Sequence, residues 1–490
     1  MRADHRLKPS IPLPDRALFI AGKWRPAGDG ARLCVEDPST GSIVGDIPDA
    51  CAADIDEAVF AARSALQGPW GAAAPVDRGR LLAKIGRAIT ERMEWLAGLE
   101  ALDVGKPIGQ ARADARALAR YFEFYAGAAD KIHGETIPYL PGYTVFTQLE
   151  PYGVTGHLVP WNYPMQIIGR SVVAALTMGN AVVLKPAEQA SLTALAVARI
   201  AQDAGLPAGA LNVVTGAGRG AGHTLAAHAG INHLSFTGST AVGAAVQAAA
   251  AVHAVPVTLE LGGKSPQILF DDADIEQALP FLVAAGVQNA GQTCSAGSRI
   301  LVQRGIYASV VTRLGEQFAA LKVGPAWLDL AVGPLISARQ RSVVEGFIDL
   351  GRRELDWVAQ GTIISEAPTG GHYVVPTLFA GVPGGHRLAQ EEIFGPVVVM
   401  IPFDTEEEAI DIANGTPFGL VAAVWTRDGQ RLLRLAKRLK AGQVYLNNYG
   451  AGGGVELPFG GVGRSGHGRE KGMAALHSFS TLKTVIAHHG

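Results

Sequence analysis

The sequence predicts an α/β protein built from two successive open sheets. Three observations carry that reading. Glycine is abundant, at 61 of 490 residues, and punctuates the chain between apolar runs. Short β-branched stretches alternate with Ala- and Leu-rich stretches of helical period, and strand–helix–strand units in succession build a doubly wound parallel sheet. The same rhythm then restarts past residue 266, as a chain this long requires, because a single core stops growing well before such a length.

Residues 1–17 are Pro-rich and read as extended. ALFIAGKWRPAG (17–28) reads as a hairpin, and CVEDPSTGSIVGDIPDA (34–50) as short strands around a Pro-Ser-Thr-Gly turn. From Asp54 to Asp130, Ala, Leu and Arg recur near every 3.6 residues, with breaks at GPW (68–70) and GKP (105–107). Strands follow within 143–160. PMQIIGRSVVAALTMGN (164–180) is then a helix, with Pro164 in its first turn and Gly179-Asn180 at its stop. AVVLKPA (181–187) is a short buried strand, 192–207 a helix, and 211–216 and 231–238 are strands. In the second unit, starting near Leu261, helices are expected at 274–291, 306–321 and 430–439. Its strands fall at 299–304, 373–379, 396–403, 420–426 and 443–448. The tail LHSFSTLKTVIAHH (476–489) alternates like an edge strand, and such a tail often adds to a neighbouring subunit's sheet.

Composition excludes several classes of partner. A net charge of −2 with interspersed signs argues against nucleic acid or a polybasic membrane contact. Three cysteines (34, 51 and 294) make no disulfide framework and suit a reducing compartment. The first residues contain no apolar signal-peptide core, and the longest apolar stretch (244–257) carries Gln, His and Pro. The expectation is a soluble, cytoplasmic protein without a metal site.

Several short stretches carry residue types suited to chemistry. GQTCS (291–295) places Cys294 in a turn after an apolar helix, where amides lower a thiol pKa and expose a nucleophile; a small buried hydrophobe is the alternative. VTLELGG (257–263) alternates, so Glu260 faces away from Val257, Leu259 and Leu261, and beside two glycines it suits a mobile general base or an exposed strand carboxylate. PWNYP (160–164) holds Asn162 in a rigid turn, as an oxyanion donor or a helix N-cap. LKPAE (184–188) puts Lys185 and Glu188 at a strand end, as ribose ligands or a solvated pair. FTGSTAVG (236–243) opens a helix whose amides can hold a pyrophosphate, although it lacks the GxGxxG and P-loop spacings and also fits an ordinary βα turn. EEIFGPV (391–397) and LPFGGVGRSGHGRE (457–470) are Gly/Pro-dense and carry Glu392, Phe394, Phe459 and Glu470.

Taken in order, PWNYP, LKPAE, FTGST, LELGGKSP, GQTC, EEIFGP and PFGGxxxSGxGRE closely resemble the motifs of the NAD(P)-dependent, non-acylating aldehyde dehydrogenase superfamily, from about residue 18 to the C-terminus. The resemblance implies a Rossmann-like cofactor domain (18–135 and 151–260), a catalytic domain (261–470) and a strand-built oligomerisation element (136–150 and 471–490) in a homodimer or homotetramer. It implies Cys294 as nucleophile, Glu260 as general base, the Asn162 side chain and Cys294 N–H as oxyanion donors, and Glu470 as a proton relay. Lys185 and Glu188 match the adenosine-ribose ligands. Trp161 and Ser239 match pyrophosphate neighbours, with Gly218, Gly238 and Leu261 alongside, and Glu392 and Phe394 match the nicotinamide side. The implied reaction takes a small-molecule aldehyde through a Cys294 thioester to an acid. Glu188 favours NAD by repelling a 2′-phosphate, while Lys185 leaves NADP compatible.

The pocket departs from the common pattern. Arg170 shares a helix face with Tyr163 and Ile167 and stands where relatives acting on simple aliphatic aldehydes often carry Trp. Succinate-semialdehyde dehydrogenases have Arg there to hold the substrate carboxylate, but their second arginine is Gln288 here. Arg170 is therefore read as a structural salt bridge or an anion anchor. Ala451, Gly452, Gly453 and Gly454 replace bulkier residues, Phe459 is retained, and Thr293 and Ser295 flank the cysteine. These features predict a roomy, partly polar pocket for aromatic or other bulky aldehydes. The rival readings are a CoA-acylating enzyme, which generally lacks the Glu260 equivalent, and a non-catalytic crystallin-like protein.

Overall fold

The computed structural model describes residues 9–450 and 454–490. Five parallel strands form the centre of the first sheet, in the spatial order Leu211–Val213, Ala181–Pro186, Val154–Val159, His233–Thr237 and Val257–Glu260. The hairpin Leu18–Ile20 with Lys23–Arg25 extends one edge antiparallel, and Gly466–His467 caps the other. The chain winds outward from Val154–Val159 to one side and then returns to the other. The carboxyl ends of Val154–Val159 and His233–Thr237 therefore flank the switch point, where an open α/β sheet forms its ligand crevice. Every residue of Val154–Val159, Ala181–Pro186 and Val257–Glu260 is buried. Both faces are thus covered, so these strands read as near-continuous apolar runs, and Glu260 is not an exposed strand residue.

The second sheet winds the same way around Pro266–Leu269. Its parallel order is Thr377–Ala380, Val397–Phe403, Arg299–Gln303, Pro266–Leu269, Val421–Trp425 and Gln443–Leu446, with Asp356–Gln360 antiparallel on one edge. Two hydrophobic cores form around these sheets. One runs from Leu18 to Leu261 and adds Val455, Ala475, Leu476 and Phe479; the other spans Ile268 to Phe459. In a third, smaller sheet, Ser480–His488 pairs antiparallel along Tyr143–Pro151, which also pairs with Thr136–Ile137. No helix among the described residues is long and apolar enough to cross a membrane.

Four stretches depart from the sequence expectation. The helix over 164–180 is α-helical only at Pro164–Ile167 and Ala174–Met178; Ile168–Val173 between them is a π-helix, and Gly179 ends it in the left-handed region at φ +93°. The helix over 274–291 stops at Val287, and the 3₁₀ turn Gln288–Gly291 carries Asn289 and Ala290 at positive φ. The strand expected from residue 373 starts only at Thr377. The first residues of 476–489 belong to helix Gly472–Ser478, so the tail strand begins at Ser480.

Candidate active site

The turn at 288–291 delivers Cys294 to a narrow cavity of about 40 Å³, lined by Tyr121, Asn162, Tyr163, Gln166, Ile167, Arg170, Thr237, Thr293, Cys294, Ser295, Phe459 and Lys471. Each side of the cysteine is tied down. Gln292 is fully buried; its Nε2 donates to Asn289 O (3.0 Å) and its Oε1 accepts from Ile336 N–H (2.9 Å). Thr293 Oγ1 and Tyr163 Oη share a 2.9 Å hydrogen bond. The Tyr449 hydroxyl donates to Ser295 O. Asn162 Nδ2 donates to Gln292 O at 3.0 Å, and Asn162 O accepts from Asn289 Nδ2 at 3.0 Å. Asn162 is therefore not an N-cap: Tyr163 holds that position, and the Asn162 amide is pinned beside the cysteine loop, 130 residues away in sequence.

Electrostatics set the resting state of the site. Burial pushes the half-buried Cys294 thiol up to about 12; the Arg170 guanidinium opposes that shift, and the Glu392 and Glu260 charges add to it. Burial also drives the Glu260 carboxyl well above the usual range, against Arg170 and together with Glu470. Glu260 is set behind the cavity wall rather than lining it. Both of its oxygens lack a hydrogen-bond partner among the described residues, and an added methyl at Gly460 would lie 2.8 Å from Oε1. Arg170 and the buried Glu470 form an ion pair; Glu470 Oε1 also accepts from Ser235 Oγ (2.7 Å), and Arg170 Nη2 donates to Thr237 Oγ1 (3.1 Å). The guanidinium lies 5.1 Å from the Phe459 ring centroid. The structural salt-bridge reading of Arg170 thus describes its geometry, although the residue also faces the cavity.

The cofactor candidates gather along the crevice between the two sheets. Trp161, at the end of Val154–Val159, meets Phe394 of the second unit edge-on, with ring centroids 5.3 Å apart. Glu392 accepts from Gly263 N–H at 3.0 Å, and burial pushes its carboxyl up to about 7 against that bond and the charge of Lys264. Lys185 and Glu188 pair at 3.4 Å at the carboxyl end of Ala181–Pro186; burial lowers the ammonium pKa and Glu188 opposes. Ser239 caps helix Thr240–Ala251, Gly238 N–H donates to Glu260 O, and Leu261 packs beneath Gly243. Gly218 opens onto free space.

Two expectations need correction or fall outside the structure. Gln288 does not line the cavity. The helix end directs it into a separate surface groove with Gln110, Val287 and Arg313, because the left-handed residues at 289 and 290 reverse the chain first. Of the pocket-mouth residues, Ala451, Gly452 and Gly453 lie outside the described residues. Sequence reasoning missed Tyr121, Gln166, Thr237 and Lys471, which line the cavity. Lys471 follows Glu470 at φ +63°, and burial pushes its ammonium down to about 7 with Arg170 acting in the same direction. No local signal marks Tyr121 or Thr237, since a helix and a distant strand bring them in.

The description "Aldehyde dehydrogenase family" matches residues 24–485. The chain belongs to the aldehyde dehydrogenase family. As a member it is an enzyme of the aldehyde-oxidising class. An aldehyde dehydrogenase of Emericella nidulans is 42% identical over 470 residues, covering 96% of this chain and 94% of the relative. A Burkholderia cenocepacia crystal structure provisionally described as an aldehyde dehydrogenase superposes with a TM-score of 0.96 at 59% identity, covering 97% of this chain and 100% of that one. The NAD+ complex of a Bacillus cereus aldehyde dehydrogenase gives 0.94 at 39% identity, covering 97% of each chain.

Proposed function

We propose that this aldehyde dehydrogenase oxidises its substrate to a carboxylic acid by covalent catalysis at Cys294, with NAD as the hydride acceptor. One observation carries the reading: Cys294 and the Asn162 amide, far apart in sequence, line one cavity, and the Glu260 carboxyl lies behind its wall, near enough for its charge to act on the thiol. The crevice suits the cofactor. Glu188 would accept from ribose hydroxyls and repel a 2′-phosphate, Glu392 would accept from the second ribose, the start of helix Thr240–Ala251 offers amides, and Gly218 leaves space. When bound, NAD takes up the hydride that leaves the substrate carbon.

The chain's own residues do the rest. Arg170 favours the Cys294 thiolate, whose Sγ adds to the aldehyde carbon. One Asn162 amide hydrogen is committed to Gln292 O, and the other, with the Cys294 N–H, stabilises the alkoxide that develops. Oxidation leaves a thioester on Sγ. Glu260, with no hydrogen bond to break among the described residues, takes a proton from water as that water attacks the thioester. Glu470, held by Arg170 and Ser235, serves as the counter-ion of that cation.

The cavity wall combines the aromatic faces of Tyr121, Tyr163 and Phe459 with the polar groups of Asn162, Gln166 and Thr293, and this supports aromatic aldehydes with polar tails. A carboxylate-bearing substrate has to compete with Glu470 for Arg170, which weighs against the semialdehyde reading. We assign residues 18–135 and 151–260 to the cofactor domain, 261–470 to the catalytic domain, and 136–150 with 471–490 to subunit pairing. The test is a panel of aromatic, polar and short aliphatic aldehydes with NAD and NADP, scoring acid formed per NADH. One acid per NADH without CoA, lost in Cys294→Ala, is expected. A requirement for CoA, or turnover in Cys294→Ala, overturns the mechanism, and a higher kcat/KM for acetaldehyde overturns the substrate class.

A further inference from the structure

A second charged cluster lies buried behind the cavity, and the mechanism above does not use it. Lys106, in the GKP break, is fully buried and ion-paired with both Glu100 and Asp114, which come from helices Met93–Asp103 and Ile108–Ala128. Removing two carboxylates and an ammonium from water costs several kcal/mol per ion, and buried pairs of this kind are often replaced by apolar side chains without loss of stability. Stability alone is therefore a weak reason for the cluster. Its outward contacts suggest another.

The Lys106 ammonium sits 3.9 Å from the centroid of the Tyr163 ring. The hydroxyl of that ring shares the 2.9 Å bond with Thr293 Oγ1, one residue before the nucleophile. Asp114 Oδ1 accepts from Gln166 Nε2 at 2.6 Å, and Gln110, on the same helix, accepts from Asn289 N–H at 2.9 Å. The cluster and its helix thus grip both sides of the site: the 162–166 turn that holds Asn162, and the 289–294 turn that holds Cys294. A cation over an aromatic face is directional enough to fix a ring's position.

We propose that Lys106 is a positioning residue, which locks the Tyr163 ring and, through its hydroxyl and Thr293, sets where Cys294 meets the Asn162 amide. The proposal rests on Cys294 being the nucleophile. Lys106→Met alone leaves two carboxylates uncompensated and is expected to misfold. The informative variants are Tyr163→Phe, which keeps the ring and deletes the bond, and the neutral triple Glu100→Gln, Lys106→Met, Asp114→Asn. Each is expected to lower kcat and the rate at which iodoacetamide alkylates Cys294 by about tenfold, the worth of one well-placed hydrogen bond. NADH affinity, read by fluorescence titration, and KM stay unchanged, whereas general loosening of the fold would move them too. Combining the sets gives no further loss, because both act through one hydroxyl. Multiplicative effects, or a neutral triple variant that alkylates at the parent rate, overturn the proposal. Turnover in Cys294→Ala sinks the nucleophile reading instead, and this proposal with it.

Discussion

At the residue scale, the site combines a thiol and a carboxyl whose pKa values burial raises with one cation that opposes both shifts. Because burial holds the Cys294 thiol up to about 12, its alkylation rate should climb about tenfold per pH unit across the neutral and mildly alkaline range. A plateau below about pH 9 would show a thiolate stabilised by something other than Arg170. Glu260 is raised, so its base form appears only as pH increases, and thioester hydrolysis should speed up with pH. Glu260→Gln should keep a burst of NADH while steady-state turnover falls by roughly a hundredfold or more, read in a stopped-flow trace. Arg170→Met removes the group that lowers both pKa values and strands Glu470; the kcat profile should then move to higher pH. Glu392 ionises as pH rises through about 7, so NAD binding should tighten across that range by calorimetry and lose this dependence in Glu392→Gln.

At the element scale, the site depends on two helices that do not end as their apolar period suggests. The 3₁₀ turn Gln288–Gly291 takes three successive residues to positive φ, with Gly291 at +73°. A methyl on Gly291 would overlap the Gly395 carbonyl oxygen. Gly291→Ala should therefore cost about 1–3 kcal/mol, seen as a lower Tm, and should reduce kcat by displacing the cysteine loop. The π-helical turn at Ile168–Val173 shifts the register by which Arg170 follows Tyr163, so the helix face read from the sequence is only approximately the face that lines the cavity.

At the scale of the whole molecule, two cores share one crevice, and a third sheet is anchored to the first core through Leu149 and Phe479. Among the described residues, Ser480–His488 pairs on only one side, and Leu482 and Ile486 are more than half exposed along it. An edge with such side chains invites pairing with another chain. Leu482→Lys with Ile486→Lys should reduce the particle mass by light scattering to that of one 51.1 kDa chain. An unchanged mass would overturn a pairing role for this edge.

The α/β class, the restart of the rhythm near residue 266 and most strands were legible because β-branched runs, helical period and Gly/Pro stops are local properties of the chain. The motifs also made Cys294, Asn162 and Glu260 visible as candidates, since each sits in a turn or strand with its own signature. What only the tertiary structure decided was their surroundings: the Arg170–Glu470 pair, the removal of Gln288 to another groove, and the arrival of Lys471, Tyr121 and Thr237 at the cavity wall. Burial and charge pairing depend on which distant segments pack together, so a linear sequence names the reacting groups but leaves their protonation and their neighbours to the fold.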